Sequence, residues 1–157
     1  MACRSRHDVS MAILDGDALQ PLWYGWAYGF ANHLSLPELL AFYRPLIASG
    51  MLTFPDAYFV LECSTEELRS RKEADATRAR RNFDHHLEFI QPQRKYFRLM
   101  QELEPVLVHW LPMSTFSENL GAIQRLAPTR PRSKSNDLAT FDQLMKLLDR
   151  SASHAEL

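Results

Sequence analysis

The chain has 157 residues, of which 24% are charged, 46% hydrophobic and 11% aromatic, a composition that excludes a disulfide miniprotein, a collagen-like chain and wholesale disorder. With 18 Lys and Arg against 19 Asp and Glu, the formal net charge is -1, which argues against nucleic acid as a partner and requires any anion site to be local. Cys3 and Cys63 are too few for a disulfide framework, no signal-like segment opens the chain, and no apolar run reaches the roughly 20 residues that span a bilayer. A cytoplasmic protein with free thiols and no membrane partner is expected.

In chain order, Met11 to Leu14 reads as a short buried strand that runs into Asp15-Gly16-Asp17. Pro21 to His33 reads as a helix rich in aromatic side chains, with Pro21 at a position where a missing N–H costs nothing and Gly25 and Gly29 making it irregular. Ser35 with Glu38 has the spacing of a capping box, and Leu36, Leu39, Leu40, Tyr43 and Ile47 give the next helix its apolar face up to Gly50, with Pro45 expected to end or kink it early. Ala57 to Cys63 is nearly continuous in apolar residues, as a strand covered on both faces should be. Ser64 with Glu67 repeats the capping box directly after it, a strand-to-helix turn of α/β type.

The helical region beyond is polar from about Thr65 to Ala79. It is then patterned through Phe83, Leu87, Ile90, Arg94, Phe97 and Met100 or their neighbours, with Pro92 expected to divide it or to start a separate helix. Val106 to Leu111 is a second parallel strand, followed by a helix opened by Ser114 or Ser117 and carrying Leu120, Ile123 and Leu126. The alternation implies an α/β domain, a parallel sheet flanked by helices, over residues 1–126. Residues 127–137, with two prolines and several serines, read as a linker, and 138–157 as an amphipathic helix and tail that docks on the domain or on another copy.

Three groups of residues carry possible chemistry. Arg69, Arg71, Lys72, Arg78, Arg80 and Arg81 lie on the connection that leaves the Ala57–Cys63 strand. Guanidinium groups bind phosphate bidentately, and on one continuous helix Arg71, Arg78 and Arg81 would share a broad face able to clamp transferring phosphoryl oxygens. The same run also fits a solvated, salt-bridged helix with Glu73 and Asp75 as partners. Asp15 and Asp17, at a strand end, could organise hydrated magnesium or accept a proton from a substrate hydroxyl, and an Asx-type turn around Gly16 is the alternative. Trp23, Tyr24, Trp26 and Tyr28 offer a stacking wall for a nucleoside base, although core packing accounts for most such aromatics and leaves one or two for a ligand.

The remaining reactive side chains are less suggestive. His85, His86 and His109 lack zinc-ligand spacing, and Cys63 has no identified base and reads as a small core residue. Glu62, inside an apolar strand, must emerge at the strand end, find a partner or shift its pKa.

The stretch from Pro55 to Lys72, PDAYFVLECSTEELRSRK, resembles the strand-to-lid passage of P-loop nucleoside and nucleotide kinases, with thymidylate and deoxynucleoside kinases nearest in style. Gln93 to Phe97 resembles the long helix before the last sheet strand and Val106 to Leu111 that strand, so the likeness covers about Met51 to Leu126. The resemblance implies part of a three-layer P-loop domain that uses ATP and Mg2+ to phosphorylate a nucleoside, a nucleotide or another small hydroxyl substrate. It places Arg69, Arg71 and Lys72 at the end of the helix before the lid, and Arg78, Arg80 and Arg81 in or beside the lid, on the ATP phosphates. More weakly, it makes Asp15 or Asp17 a base or magnesium organiser and Pro21 to Phe30 a substrate-side helix.

The departure from the family is the missing Gly-x-x-x-x-Gly-Lys-Ser/Thr loop, which normally holds the β and γ phosphates. It leads to the expectation of an inactive carboxyl-terminal portion of a longer kinase-like protein, or of a degenerate relative kept for nucleotide binding or for oligomerisation. A half-built sheet would expose an apolar edge, which predicts a homodimer, poor solubility or an altered topology.

Overall fold

The computed structural model describes residues 12–16, 18–30, 34–75, 77 and 83–152. It is a mixed α/β structure, mostly helical: α1 (Gln20–Ala27), α2 (Leu36–Ala48), β1 (Tyr58–Leu61), α3 (Thr65–Ala74), α4 (Phe83–Glu88), α5 (Ile90–Leu103), β2 (Val108–Leu111), α6 (Phe116–Leu126) and α7 (Asp137–Ala152). β1 and β2 pair in parallel, Tyr58 opposite Val108 and Leu61 opposite Leu111, so α3, α4 and α5 together form the crossover that a parallel pair requires.

Local chemistry sets most boundaries. Ser35 and Ser64 accept from the backbone N–H of Glu38 and Glu67, whose carboxylates return to the serine N–H groups, so both expected capping boxes form. α6 departs from expectation because its cap is Thr115, paired with Glu118, while the Ser114 hydroxyl donates to Asn119 Oδ1 at 2.7 Å. α5 starts at Ile90, two residues before Pro92, where the missing N–H has no helical acceptor to lose.

Pro45 does not end α2 early, since the helix continues to Ala48. Pro45 and the residue four before it, Ala41, are both exposed, so the carbonyl that loses its bond faces water while Leu39, Tyr43 and Ile47 hold the opposite face in the core. Gly50, at φ +72°, then turns the chain. In α1, a Cβ on Gly25 would meet the Phe30 ring at 3.1 Å, so the glycine that weakens the helix also lets the ring pack.

The core joins α1, α2, α5, α7 and one face of the sheet: Leu22, Leu39, Tyr43, Val60, Tyr96, Met100, Val108, Phe141, Leu144 and Leu148 are all buried in one cluster. Docking of the amphipathic C-terminal helix is thus onto the chain itself, largely against α2 and α5, with Arg44 and Asp142 paired at 3.0 Å at its rim. The stretch before it is pinned to the approach to β1. Arg132 donates to the Pro55 carbonyl and pairs with Asp137, Lys134 reaches the Phe54 carbonyl and Asp56, and the Phe54 N–H donates to Asp137. Burial pushes the Asp56 carboxyl up, but Lys134 and the Arg132 backbone N–H and charge outweigh it and hold it below the usual aspartate range.

The strand expected at Met11 to Leu14 does not form over its described residues. Ala12 to Leu14 are irregular, with Ile13 70% and Leu14 77% exposed. A short apolar run becomes a strand only where a neighbour pairs its backbone, and the ladder of the described sheet holds β1 and β2 alone. No helix among the described residues is long and apolar enough to cross a membrane.

Candidate functional site

The short helix α4 draws two of the expected groups together. α3 leaves β1 through Ser64 and buries none of its residues, so its basic side chains stand in solvent. From it, Arg69 reaches Asp84 at 3.5 Å and Lys72 reaches the same carboxylate at 4.0 Å, with the Lys72 ammonium also 4.4 Å from the centre of the Phe83 ring. On the other side of α4, the Tyr28 hydroxyl lies 2.6 Å from His85 Nε2, and His85 Nδ1 lies 3.1 Å from Glu88 Oε2. Tyr24 and Tyr28 both pack on the ring of Phe89, at 5.5 and 4.5 Å between centroids.

The other expected residues separate. Trp23 is 7% exposed, so it is not available as a stacking surface; it belongs to the core cluster with Leu19 and Leu22. Trp26 is half-buried with the Lys95 ammonium 5.4 Å above its ring. Asp15 is exposed in a bend rather than at the end of a strand. α3 stops at Ala74 with Asp75 as its C-cap, and Asp75 accepts from the N–H and hydroxyl of Thr77. One continuous helix from Arg71 to Arg81 is therefore not formed, and Asp17, Arg78, Arg80 and Arg81 lie outside the described residues.

The carboxyl end of β1 has its own chemistry. Arg94 donates to the Cys63 carbonyl at 3.0 Å. Burial and the charge of Glu67 push the Cys63 thiol up, against the opposing charges of Arg71 and Arg94, which keeps it a protonated, poorly nucleophilic group. Glu62 emerges at the strand end into an open cleft of about 460 Å³ with Arg98, Gln101, Glu102 and Trp110. The Trp110 indole N–H is already given to Gln101 Oε1 at 2.9 Å.

Sequence reasoning passed over Asp84, Glu88 and Arg94, and weighed His85 only as a zinc ligand. The signal for the His85–Glu88 pair is present in the chain, since the two residues stand three apart on a helix, the spacing at which side chains meet. Arg94 was legible only as part of a helical pattern, because its partner is a main-chain carbonyl brought close by the crossover.

No family model, curated protein or solved structure matches the chain.

Proposed function

We propose that this chain is the lid-bearing, carboxyl-terminal part of a P-loop-kinase-like nucleotide-binding domain, with the basic passage from Arg69 to Arg81 as its phosphate-binding element. The observation that carries the reading is the parallel β1–β2 pair whose first strand runs through a capped turn directly into α3, which carries Arg69, Arg71 and Lys72. Ligands of open parallel sheets bind beyond the carboxyl ends of the strands, where this turn lies.

The residues present suit a phosphate better than a metal ion. Arg69 and Lys72 both pair with Asp84, whose side chain is 71% exposed. Such solvent-exposed pairs are worth little, so the phosphates of an incoming nucleotide compete for both cations at small cost. Asp15 offers a single exposed carboxylate, which positions hydrated magnesium only together with oxygens of the nucleotide itself. The nucleotide supplies the phosphoryl group; Arg69, Arg71 and Lys72 neutralise its oxygens, and Tyr24, Trp26 and Tyr28 provide apolar surface beside them. With no loop lysine, the reading is of binding, and a nucleoside, nucleotide or other small hydroxyl compound is the acceptor of the complete kinase.

Calorimetric titration with ATP and magnesium tests this. Saturable binding is expected, weakened several-fold by replacing Arg78 and Arg81 with Ala in a protein that stays folded. Absence of saturable binding by folded protein discards the nucleotide reading.

A second reading, a noncatalytic module that associates with a second copy, draws on the exposed apolar side chains of Leu61 on β1, Val106 before β2 and Phe116 on α6. Sedimentation velocity separates the two, because this reading requires a concentration-dependent dimer that nucleotide does not change.

A further inference from the structure

We propose that Glu88, His85 and Tyr28 form a reactive centre in which the Tyr28 phenol is a nucleophile for phosphoryl groups carried by a phosphoric anhydride. The choice of an anhydride donor rests on the nucleotide-phosphate reading above; the activation of Tyr28 does not. The three side chains come from two segments far apart in the chain, and they align in the order carboxylate, imidazole, hydroxyl: Glu88 Oε2 to His85 Nδ1 at 3.1 Å and His85 Nε2 to Tyr28 Oη at 2.6 Å.

That order assigns the roles. An ionised carboxylate only accepts, so Glu88 takes the Nδ1–H of His85 and fixes the tautomer whose Nε2 carries a lone pair. Nε2 then accepts the Tyr28 hydroxyl proton. A base adjacent to a hydroxyl, itself oriented by a third group, is the arrangement that activates weak nucleophiles. Packing keeps it in register, because the Phe89 ring lies against both the Tyr28 ring, at 4.5 Å, and the His85 ring, at 5.2 Å. Asp84, the carboxylate that Arg69 and Lys72 reach, directly precedes His85 in α4.

The step balances without any further oxidant or reductant. Tyr28 Oη forms a bond to phosphorus as the phosphorus–oxygen bond of the anhydride breaks, and the leaving group departs with that bonding pair. The phenolic proton passes to His85 Nε2, and the imidazolium so formed is stabilised by Glu88. The product is phosphotyrosine, with a carboxylate or a nucleoside diphosphate released according to whether the donor is an acyl phosphate or a nucleoside triphosphate.

Two measurements on the full chain test the two parts. The first is the rate of acetylation by N-acetylimidazole at each of the five tyrosines, followed by peptide mass spectrometry. Tyr28 is expected to react at least about tenfold faster in the parent protein than in His85→Ala, with Glu88→Gln intermediate. Equal rates in parent and His85→Ala, with both folded by circular dichroism, overturn the activation. The second is incubation with acetyl phosphate or with ATP and magnesium, reading phosphate on Tyr28. Labelling by either donor that is lost in Tyr28→Phe and reduced in His85→Ala supports the proposal, and the donor that labels identifies the source. A fast-acetylating Tyr28 that neither donor phosphorylates overturns the phosphoryl role. Calorimetry separates that failure from failure of the nucleotide reading: saturable ATP binding without labelling leaves the nucleotide reading standing, whereas labelling by acetyl phosphate without ATP binding removes that reading alone.

Discussion

Two places in the molecule set an arginine and a lysine against aspartate, and they differ in everything around the charges. Arg132 and its partner Asp137 have side chains only 14% and 3% exposed, and their remaining donors and acceptors are matched by the Pro55 carbonyl and the Phe54 N–H. Arg69 and Asp84 are 57% and 71% exposed, on a helix that buries none of its side chains. The first pair is a clasp that fastens the start of α7 to the approach to β1. The second is a loose arrangement whose cations a ligand can take over. Charge composition is nearly the same in both; burial and hydrogen-bond completeness decide which is structural and which is available for binding.

Removing one partner from each place sharpens that contrast. Asp137→Ala leaves the Arg132 guanidinium and the Phe54 N–H without their acceptor in a buried setting. A loss of about 3 to 5 kcal/mol is expected, as for other broken buried pairs, measured by urea unfolding. A loss under about 1 kcal/mol would show that water or Asp56 replaces the carboxylate. Ser64→Ala removes the cap of α3 and is expected to cost about 1 kcal/mol. Since α3 has no buried residue to carry the effect inward, hydrogen exchange should accelerate in Thr65–Ala74 and leave α7 unchanged. Asp84→Ala is expected to change unfolding free energy by less than about 0.5 kcal/mol, while raising ATP affinity by releasing Arg69 and Lys72. A large stability loss there would make the Arg69 and Lys72 pairing a structural element and end its comparison with a binding surface.

Acid probes the clasp from another side. The folded Asp56 carboxyl titrates below its ordinary value of 3.8, so its contribution is fully present above that pH. The contribution fades as the pH falls through the lower folded value, where the carboxylate finally takes up its proton. The stability difference between the parent and Asp56→Asn should therefore be constant near neutrality and shrink on acidification below about 3.8. A difference independent of pH would show that Lys134 and Arg132 do not favour the ionised carboxyl in the folded state.

The elements whose chemistry is local were legible in the chain. Ser35 with Glu38 and Ser64 with Glu67 close their capping boxes within four residues, the YFVL core of β1 is strongly strand-forming, and Phe141, Leu144, Met145 and Leu148 bury the face expected of α7. The Met11 to Leu14 strand failed for the complementary reason, that a strand depends on a distant backbone which composition does not reveal. Of the candidate site, the basic residues of α3 were visible as a charge run and Tyr28 as one of several aromatics, without any indication of which would meet.

What the sequence by itself determined, then, is the capping boxes of α2 and α3 and the face that α7 buries, because these follow from contacts a few residues apart. Only the tertiary structure decided that Trp23 belongs to the core, that Arg132 is held in a buried clasp and that Tyr28 meets His85 across 57 positions of chain. Each of those depends on which surfaces the crossover and the helix packing bring within a few ångströms, and that is a property of the whole fold.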